Sequence, residues 1–370
     1  MDAERENQPK MMWQPDRSKI IQMDELRNQI NKKFGPNLET YHQFHQWSCE
    51  NYSQFWEEVW KFTDVIHSEP YDEVIDKNKD IAEIPEWFHG VRMNFAENLL
   101  RYDDDRIAVY STGEGQTEVK TKTFHQLRHD VSVYAAAMRA LGIQTGDRVV
   151  GYIPNCEEAV IAMLATASIG AIWSSTSPDF GVVGVLERFS QIRPKLIFSV
   201  NAVHYNGKIH NHMEKVEQVV RGLPDLEKVV IFPFVKESKF DLCHIPNSCS
   251  LEQFLSDGIK EGRQPVLKFE QVPFNHPLYI MYSSGTTGVP KCMVHSVGGT
   301  LLKHLEEHRI QSDMTRNDIM LYYTTNHHIG HRCKMVVSFG REKCETKRNP
   351  QFKVSAYDII YRISVKTTEL

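Results

Sequence analysis

Cysteine is scarce. The chain holds seven in 370 residues, at positions 49, 156, 243, 249, 292, 333 and 344, an odd number with no Cys-x-x-Cys pair. That excludes a disulfide-stapled scaffold and points to free thiols. No stretch of about 18 consecutive apolar residues occurs, so no membrane span is expected. Charge of one sign is also lacking: 43 Lys/Arg stand against 48 Asp/Glu, a net of −5. This argues against nucleic-acid binding, and with 41% hydrophobic residues it argues against disorder. The opening Met1-Asp2-Ala3-Glu4-Arg5-Glu6 is too charged for a secretory signal and too acidic for a transit peptide. The expected location is the cytosol. Nothing in the sequence sets an oligomeric state. What remains is a globular chain of about two domains at roughly 150 residues each.

The small net charge hides an asymmetry. From Asn326 onward nine Lys/Arg face four Asp/Glu, a balance of +5, which leaves −10 on residues 1–325. The first 40 residues read as a leader with little pattern. Between Tyr41 and Phe62 the chain turns aromatic, and Phe55, Trp56, Val59 and Trp60 share a helical face that Ser53 is placed to cap. A packed amphipathic helix explains that face better than a membrane-surface helix, which needs more Lys/Arg opposite.

From Arg106 a strand–helix rhythm sets in. Strands are expected at Ile107–Tyr110, Arg148–Ile153, Ala171–Ser174, Lys195–Val200 and Lys228–Phe234. Helices are expected from Thr123 to Leu141, closed by Gly142, and over Glu157–Ile169, Val182–Gln191 and Asn211–Arg221. Such alternation predicts an α/β fold with a largely parallel sheet flanked by helices. Residues 235–275 are polar and irregular, apart from a short helix around Ser250–Phe254.

One segment carries chemistry. The β-prone run Leu278–Tyr282 leads into Ser283-Ser284-Gly285-Thr286-Thr287-Gly288-Val289-Pro290-Lys291. This loop has four hydroxyls, two glycines and a lysine, and no carboxylate. Glycines allow positive φ and close backbone approach, consecutive N–H groups cradle an anion, and Lys291 adds charge. The reading is a phosphate loop. It is not a Walker A loop, because Val289-Pro290 separates Gly288 from the lysine. The competing reading is a flexible Ser/Gly/Thr surface turn.

Tyr282-Ser283-Ser284-Gly285-Thr286-Thr287-Gly288-Val289-Pro290-Lys291 resembles the signature of the adenylate-forming superfamily, which holds acyl-CoA synthetases, luciferases and nonribosomal-peptide adenylation domains. Met163–Ala165 with Ile169–Ile172 resembles an earlier core motif of that superfamily. Further stretches resemble its acetoacetate–CoA ligases: Tyr71–Val74, Ile172–Gly181, Arg188–Ile192 and Lys291–Ser296. The aromatic segment looks like the N-terminal cap of the acetyl-CoA synthetase branch.

The resemblance implies four parts: a leader over 1–40, a cap over 41–100, part of an adenylation domain over 101–325, and a divergent basic tail over 326–370. It implies ATP, Mg²⁺ and CoA as co-substrates, acetoacetate as the acid, and a place in cytosolic ketone-body use for lipid synthesis. Ser283, Ser284, Gly285, Thr286, Thr287, Gly288 and Lys291 would hold the nucleotide's phosphates; no catalytic residue or metal ligand is assigned. Trp173 reads as core or pocket wall, His295 as site-facing or a satisfied core histidine, and Asn206-Gly207-Lys208 as a surface turn or a contact to CoA phosphates. The resemblance stops near Thr325, where Asn326-His327-His328-Ile329-Gly330 replaces the family's Gly-Trp-Met-Met-Trp-type segment. A shortened isoform or gene-model product is therefore expected. The tail's His327, His328, His331, Cys333 and Cys344 lack zinc-site spacing, and Val354–Val365 reads as one strand or a short amphipathic piece. Two classes follow: an acid–thiol ligase, or a non-catalytic nucleotide-binding fragment.

Overall fold

A computed structural model describes residues 18–114, 118–238, 240–259, 262–283, 288–320 and 334–338. Three helices come first: α1 (Gln22–Phe34), α2 (Tyr41–Glu50) and α3 (Tyr52–Phe62). The patternless reading of the first 40 residues is corrected by α1. Only Leu26 and Ile30 face inward from it, too few to reveal a period, and Gly35 closes it at φ 76°. Thr40 caps α2 by accepting from the Gln43 N–H. Ser53 does not cap α3, because the helix starts at Tyr52, two residues before a Ser53 cap would start it, and Asn51 holds the cap position.

The apolar face of α3 is packed as expected. Trp60 stacks on Phe88 at 4.6 Å between centroids, and Phe88 stacks on Phe274 at 5.0 Å. Glu58 on the same helix is buried and accepts from Lys33 Nζ at 2.6 Å and Gln29 Nε2 at 2.9 Å. A buried carboxylate is tolerable only with such partners.

Short pieces follow: β1 (His67–Glu69), β2 (Glu73–Ile75), β3 (Trp87–His89), β4 (Arg92–Met93) and α4 (Phe95–Leu99). The α/β part then runs β5 (Ile107–Thr112), β6 (Lys120–Thr123), α5 (Phe124–Leu141), β7 (Arg148–Tyr152), α6 (Glu157–Ser168), β8 (Ile172–Thr176), α7 (Val182–Ile192) and β9 (Leu196–Val200). A hairpin absent from the sequence reading comes next, β10 (Ala202–Tyr205) and β11 (Lys208–Asn211). After it come α8 (Met213–Arg221), β12 (Lys228–Phe232), β13 (Ser248–Ser250), α9 (Leu251–Asp257), β14 (Val272–Pro273), β15 (Pro277–Ser283), β16 (Lys291–Ser296) and α10 (Val297–Leu305). A wider turn, Glu306–Gln311, continues α10; β17 (Ile319–Met320) and β18 (Lys334–Ser338) are last.

The main sheet has the order β13-β12-β9-β7-β8-β15-β16. Its pairs are parallel except the last, β15 with β16. β9 is buried at all five positions, as a strand covered on both faces must be. Val131 and Met138 of α5 and Ile161 and Ala165 of α6 pack in one core layer, and Val185 and Phe189 of α7 with Val216 and Val219 of α8 in the other. The expected α/β class is therefore observed. Thr123 caps α5, and Gly142 ends it at φ 93°.

A second sheet, β17-β18-β5-β6, is antiparallel. Its β18 lies within the stretch read as a divergent tail and pairs Met335 with Ser111 and Val337 with Val109. The strand or amphipathic piece expected in Val354–Val365 lies outside the described residues.

Asn94 ties these parts together. It is 1% exposed; its Nδ2 donates to the carbonyls of Ala167 (2.9 Å) and Glu270 (2.8 Å), and its Oδ1 accepts from Glu97 N. Asn94→Ala strands buried carbonyls, each lost partner costing about 1–3 kcal/mol. Chemical denaturation is expected to register a loss of roughly 3 kcal/mol; a loss under about 1 kcal/mol contradicts this role.

Candidate nucleotide-phosphate site

β15 rises through the sheet beside β8, and its carboxyl end at Ser283 opens the glycine loop. Ligands of open α/β sheets sit outside the carboxyl ends of strands. The return strand β16 sets the register: Ser283 lies opposite Lys291, Tyr282 opposite Cys292, Met281 opposite Met293 and Tyr279 opposite His295. Alternation puts Ser283, Lys291, Met281, Met293, Tyr279 and His295 on one face. Ile280, Tyr282, Cys292 and Val294 occupy the other.

Ser283 and Lys291 are thus brought together as the cross-strand pair at the base of the loop. Gly288 has φ 98°, in the left-handed region that favours glycine. Ser284, Gly285, Thr286 and Thr287 lie outside the described residues. Lys291 is exposed and makes no ion pair with another described residue. Its charge is unspent within the described structure. Among the described residues no group of three His, Cys, Asp or Glu side chains is placed to hold a metal ion.

The other candidates resolve differently. Trp173 is 4% exposed, opposite Tyr279, and its ring lies where a side chain on Gly151 would stand, at 2.9 Å. Trp173 is core. Asn206 (φ 50°) and Gly207 (φ 75°) form the tight turn between β10 and β11, and the Gly207 N–H donates to Glu114 Oε1 at 2.6 Å. Lys208 is exposed on that turn. The tail histidines and Cys333 and Cys344 lie outside the described residues.

Sequence reasoning weighed His295 alone and missed the histidine group to which it belongs. His295 on β16 is followed by His304 on α10 and His308 one turn later, with ring centroids of the last two 6.1 Å apart. His304 also meets the Phe95 ring edge at 6.2 Å. The Nε2 atoms of His295 and His304 are enclosed without a hydrogen-bond partner among the described residues. Lys303, Glu306 and Glu307 form ion pairs alongside, with Lys303 Nζ 2.8 Å from Glu306 Oε2. The available signal was the His-x-x-x-His spacing at 304 and 308.

Burial pushes the pKa of all three histidines below the ordinary value, and for His304 the neighbouring His308 and Lys303 add to it. The folded form therefore prefers them neutral. The unfolded chain binds protons from about pH 6.5 downward, so stability is full above that pH and falls as pH drops below it. Melting temperature is expected to decline from pH 6.5 to 5.5, with a shallower slope for His304→Leu. A flat wild-type profile across that window contradicts neutral burial.

Comparisons with known proteins follow this geometry. A family model described as AMP-binding enzyme matches residues 95–342, a span that includes β18, and one described as Acetyl-coenzyme A synthetase N-terminus matches residues 41–99. The chain is 58% identical over 318 residues to an acetoacetyl-CoA synthetase of Xenopus tropicalis and 59% identical over 317 to one of Macaca fascicularis. Each alignment covers 85% of this chain and 47% of the relative, so the chain spans about half the length of the curated relatives it matches. The solved acetoacetyl-CoA synthetase from Streptomyces lividans superposes with a TM-score of 0.75 at 34% identity, covering 84% of this chain and 47% of that one. With its loop at the carboxyl end of β15 and a family match over most of its length, the chain belongs to the AMP-binding enzymes.

Proposed function

We propose that this chain binds the polyphosphate of ATP for an acyl-adenylating ligase whose acid is acetoacetate. The observation that carries the reading is the Ser283–Lys291 pair closing a carboxylate-free loop at a strand's carboxyl end. The likeness to acetoacetyl-CoA synthetases supports the acid and the thiol acceptor.

In this reaction a carboxylate oxygen attacks the α-phosphorus of ATP. The Pα–O bond to pyrophosphate breaks and acetoacetyl-AMP forms. The CoA thiolate then attacks the acyl carbon, and AMP leaves as the thioester forms. The obstacle is electrostatic, since one anion must approach another. Lys291 and the loop's N–H and hydroxyl donors offset that repulsion without reorganising at the moment of reaction. Ser283, Ser284, Gly285, Thr286, Thr287, Gly288 and Lys291 hold the β- and γ-phosphates and the departing pyrophosphate. Mg²⁺ bound with the nucleotide supplies further charge neutralisation.

In this reading residues 41–100 are the cap and residues 101–325 belong to the adenylation domain. The basic stretch from 326 diverges after contributing β18. No helix among the described residues is long and apolar enough to cross a membrane; a cytosolic place in ketone-body use for lipid synthesis is part of the proposal.

The test is acetoacetate-dependent exchange of pyrophosphate into ATP by the full chain. Lys291→Ala is expected to lower the rate by roughly 10²-fold, the usual effect of removing one preorganised charge donor. An unchanged rate overturns the assignment of Lys291. Binding of ATP without exchange favours a non-catalytic nucleotide-binding module.

A further inference from the structure

We infer that Gln191, the penultimate residue of α7, is a positioning residue that fixes the exit of the phosphate loop. This deepens the phosphate-site reading and rests on it.

The side chain reaches across 99 residues of sequence. Its Nε2 donates to the Pro290 carbonyl at 2.9 Å and back to the Glu187 carbonyl of its own helix at 2.5 Å. Its Oε1 accepts from the Cys292 thiol at 3.5 Å. One amide therefore binds both neighbours of Lys291, the residue before and the residue after. Its second N–H, spent on Glu187, holds the side chain in its rotamer. Few side chains other than glutamine supply two N–H donors and an acceptor on a stem of this length.

The same helix grips the loop's entry. The Tyr282 hydroxyl donates to the Arg188 carbonyl at 3.4 Å, and the Arg188 guanidinium lies over the Tyr282 ring at 5.7 Å and the Phe180 ring at 4.4 Å. Ser174 on β8 secures the strand from inside, its hydroxyl donating to Ile280 O at 2.7 Å. Entry and exit are thus tied to one turn of one helix, through residues 188 and 191. Alternation on β16 makes this useful: Cys292 faces α7, so Lys291 faces the opposite side. Gln191 never touches the ligand face; it fixes the strand whose other side presents the lysine. Pro290 has no N–H, so its carbonyl is its only main-chain hydrogen-bonding group, and Gln191 takes it.

The test compares the full chain with Gln191→Met, which keeps length and loses all three polar contacts, and Gln191→Glu, which keeps the acceptor alone. Hydrogen exchange is read first, without ligand. Amides of Val289 and Lys291 to Met293 are expected to exchange about 5- to 10-fold faster in both variants, with the amides of α8 and β9 unchanged. Pyrophosphate binding by calorimetry is read second: affinity falls several-fold in Gln191→Met, while affinity for AMP, which lacks the β- and γ-phosphates, stays constant. Equal exchange in all three proteins overturns the clamp. Faster exchange with wild-type affinity for pyrophosphate overturns its positioning role. Faster exchange with no pyrophosphate binding even by wild type supports the clamp and instead overturns the phosphate reading. A general loss of protection that includes β9 marks a merely structural residue and also overturns it.

Discussion

The pairing of β15 between β8 and β16 is the constraint on which the site depends. On one side β15 is a parallel strand of a covered sheet, and its carboxyl end must point where all the carboxyl ends point. On the other side the chain returns as the antiparallel strand β16, in a register that sets Ser283 opposite Lys291. Ser283 and Lys291, which flank the glycine loop, are thereby held side by side. In the proposed function the sheet sets where phosphates would be received, and the hairpin sets which residues would receive them. β16 has no second strand neighbour among the described residues, so the loop's exit is steadied from the side by α7.

The cap contributes through the same logic at longer range. Trp60, Phe88 and Phe274 form a stacked column that connects α3 to the segment just before β15. Gly298 at the start of α10 has no room for even a methyl group, since an added Cβ would meet Phe274 at 2.0 Å. The segment before β15 and the start of α10 therefore meet on one aromatic layer. Dense packing of this kind transmits small displacements rather than absorbing them.

Much of this was legible in the sequence, and the reasons are specific. The α5 boundaries were marked by chemistry, with Thr123 and Gln126 in a capping box and Gly142 in the left-handed conformation. The loop stood out by its composition, four hydroxyls, two glycines and a lysine with no carboxylate. α1 was not, because two inward residues make no period. The Asn206-Gly207 turn is legible as a surface turn and the structure has it so, but the four-residue strands on either side were too short to stand out as a hairpin. Gln191 and the histidine group were hidden for another reason. Their partners lie in other elements, and only the fold brings Gln191 to Pro290 or Phe95 to His304.

The central claim is that Lys291 and Ser283 form the floor of a polyphosphate site. A crystal structure of the full chain with Mg²⁺ and a non-hydrolysable ATP analogue tests it most directly. The account predicts a β- or γ-phosphate oxygen within about 3 Å of Lys291 Nζ, charge-assisted hydrogen-bond range, with the loop folded over it. Phosphates bound elsewhere, with Lys291 left in solvent, would contradict it.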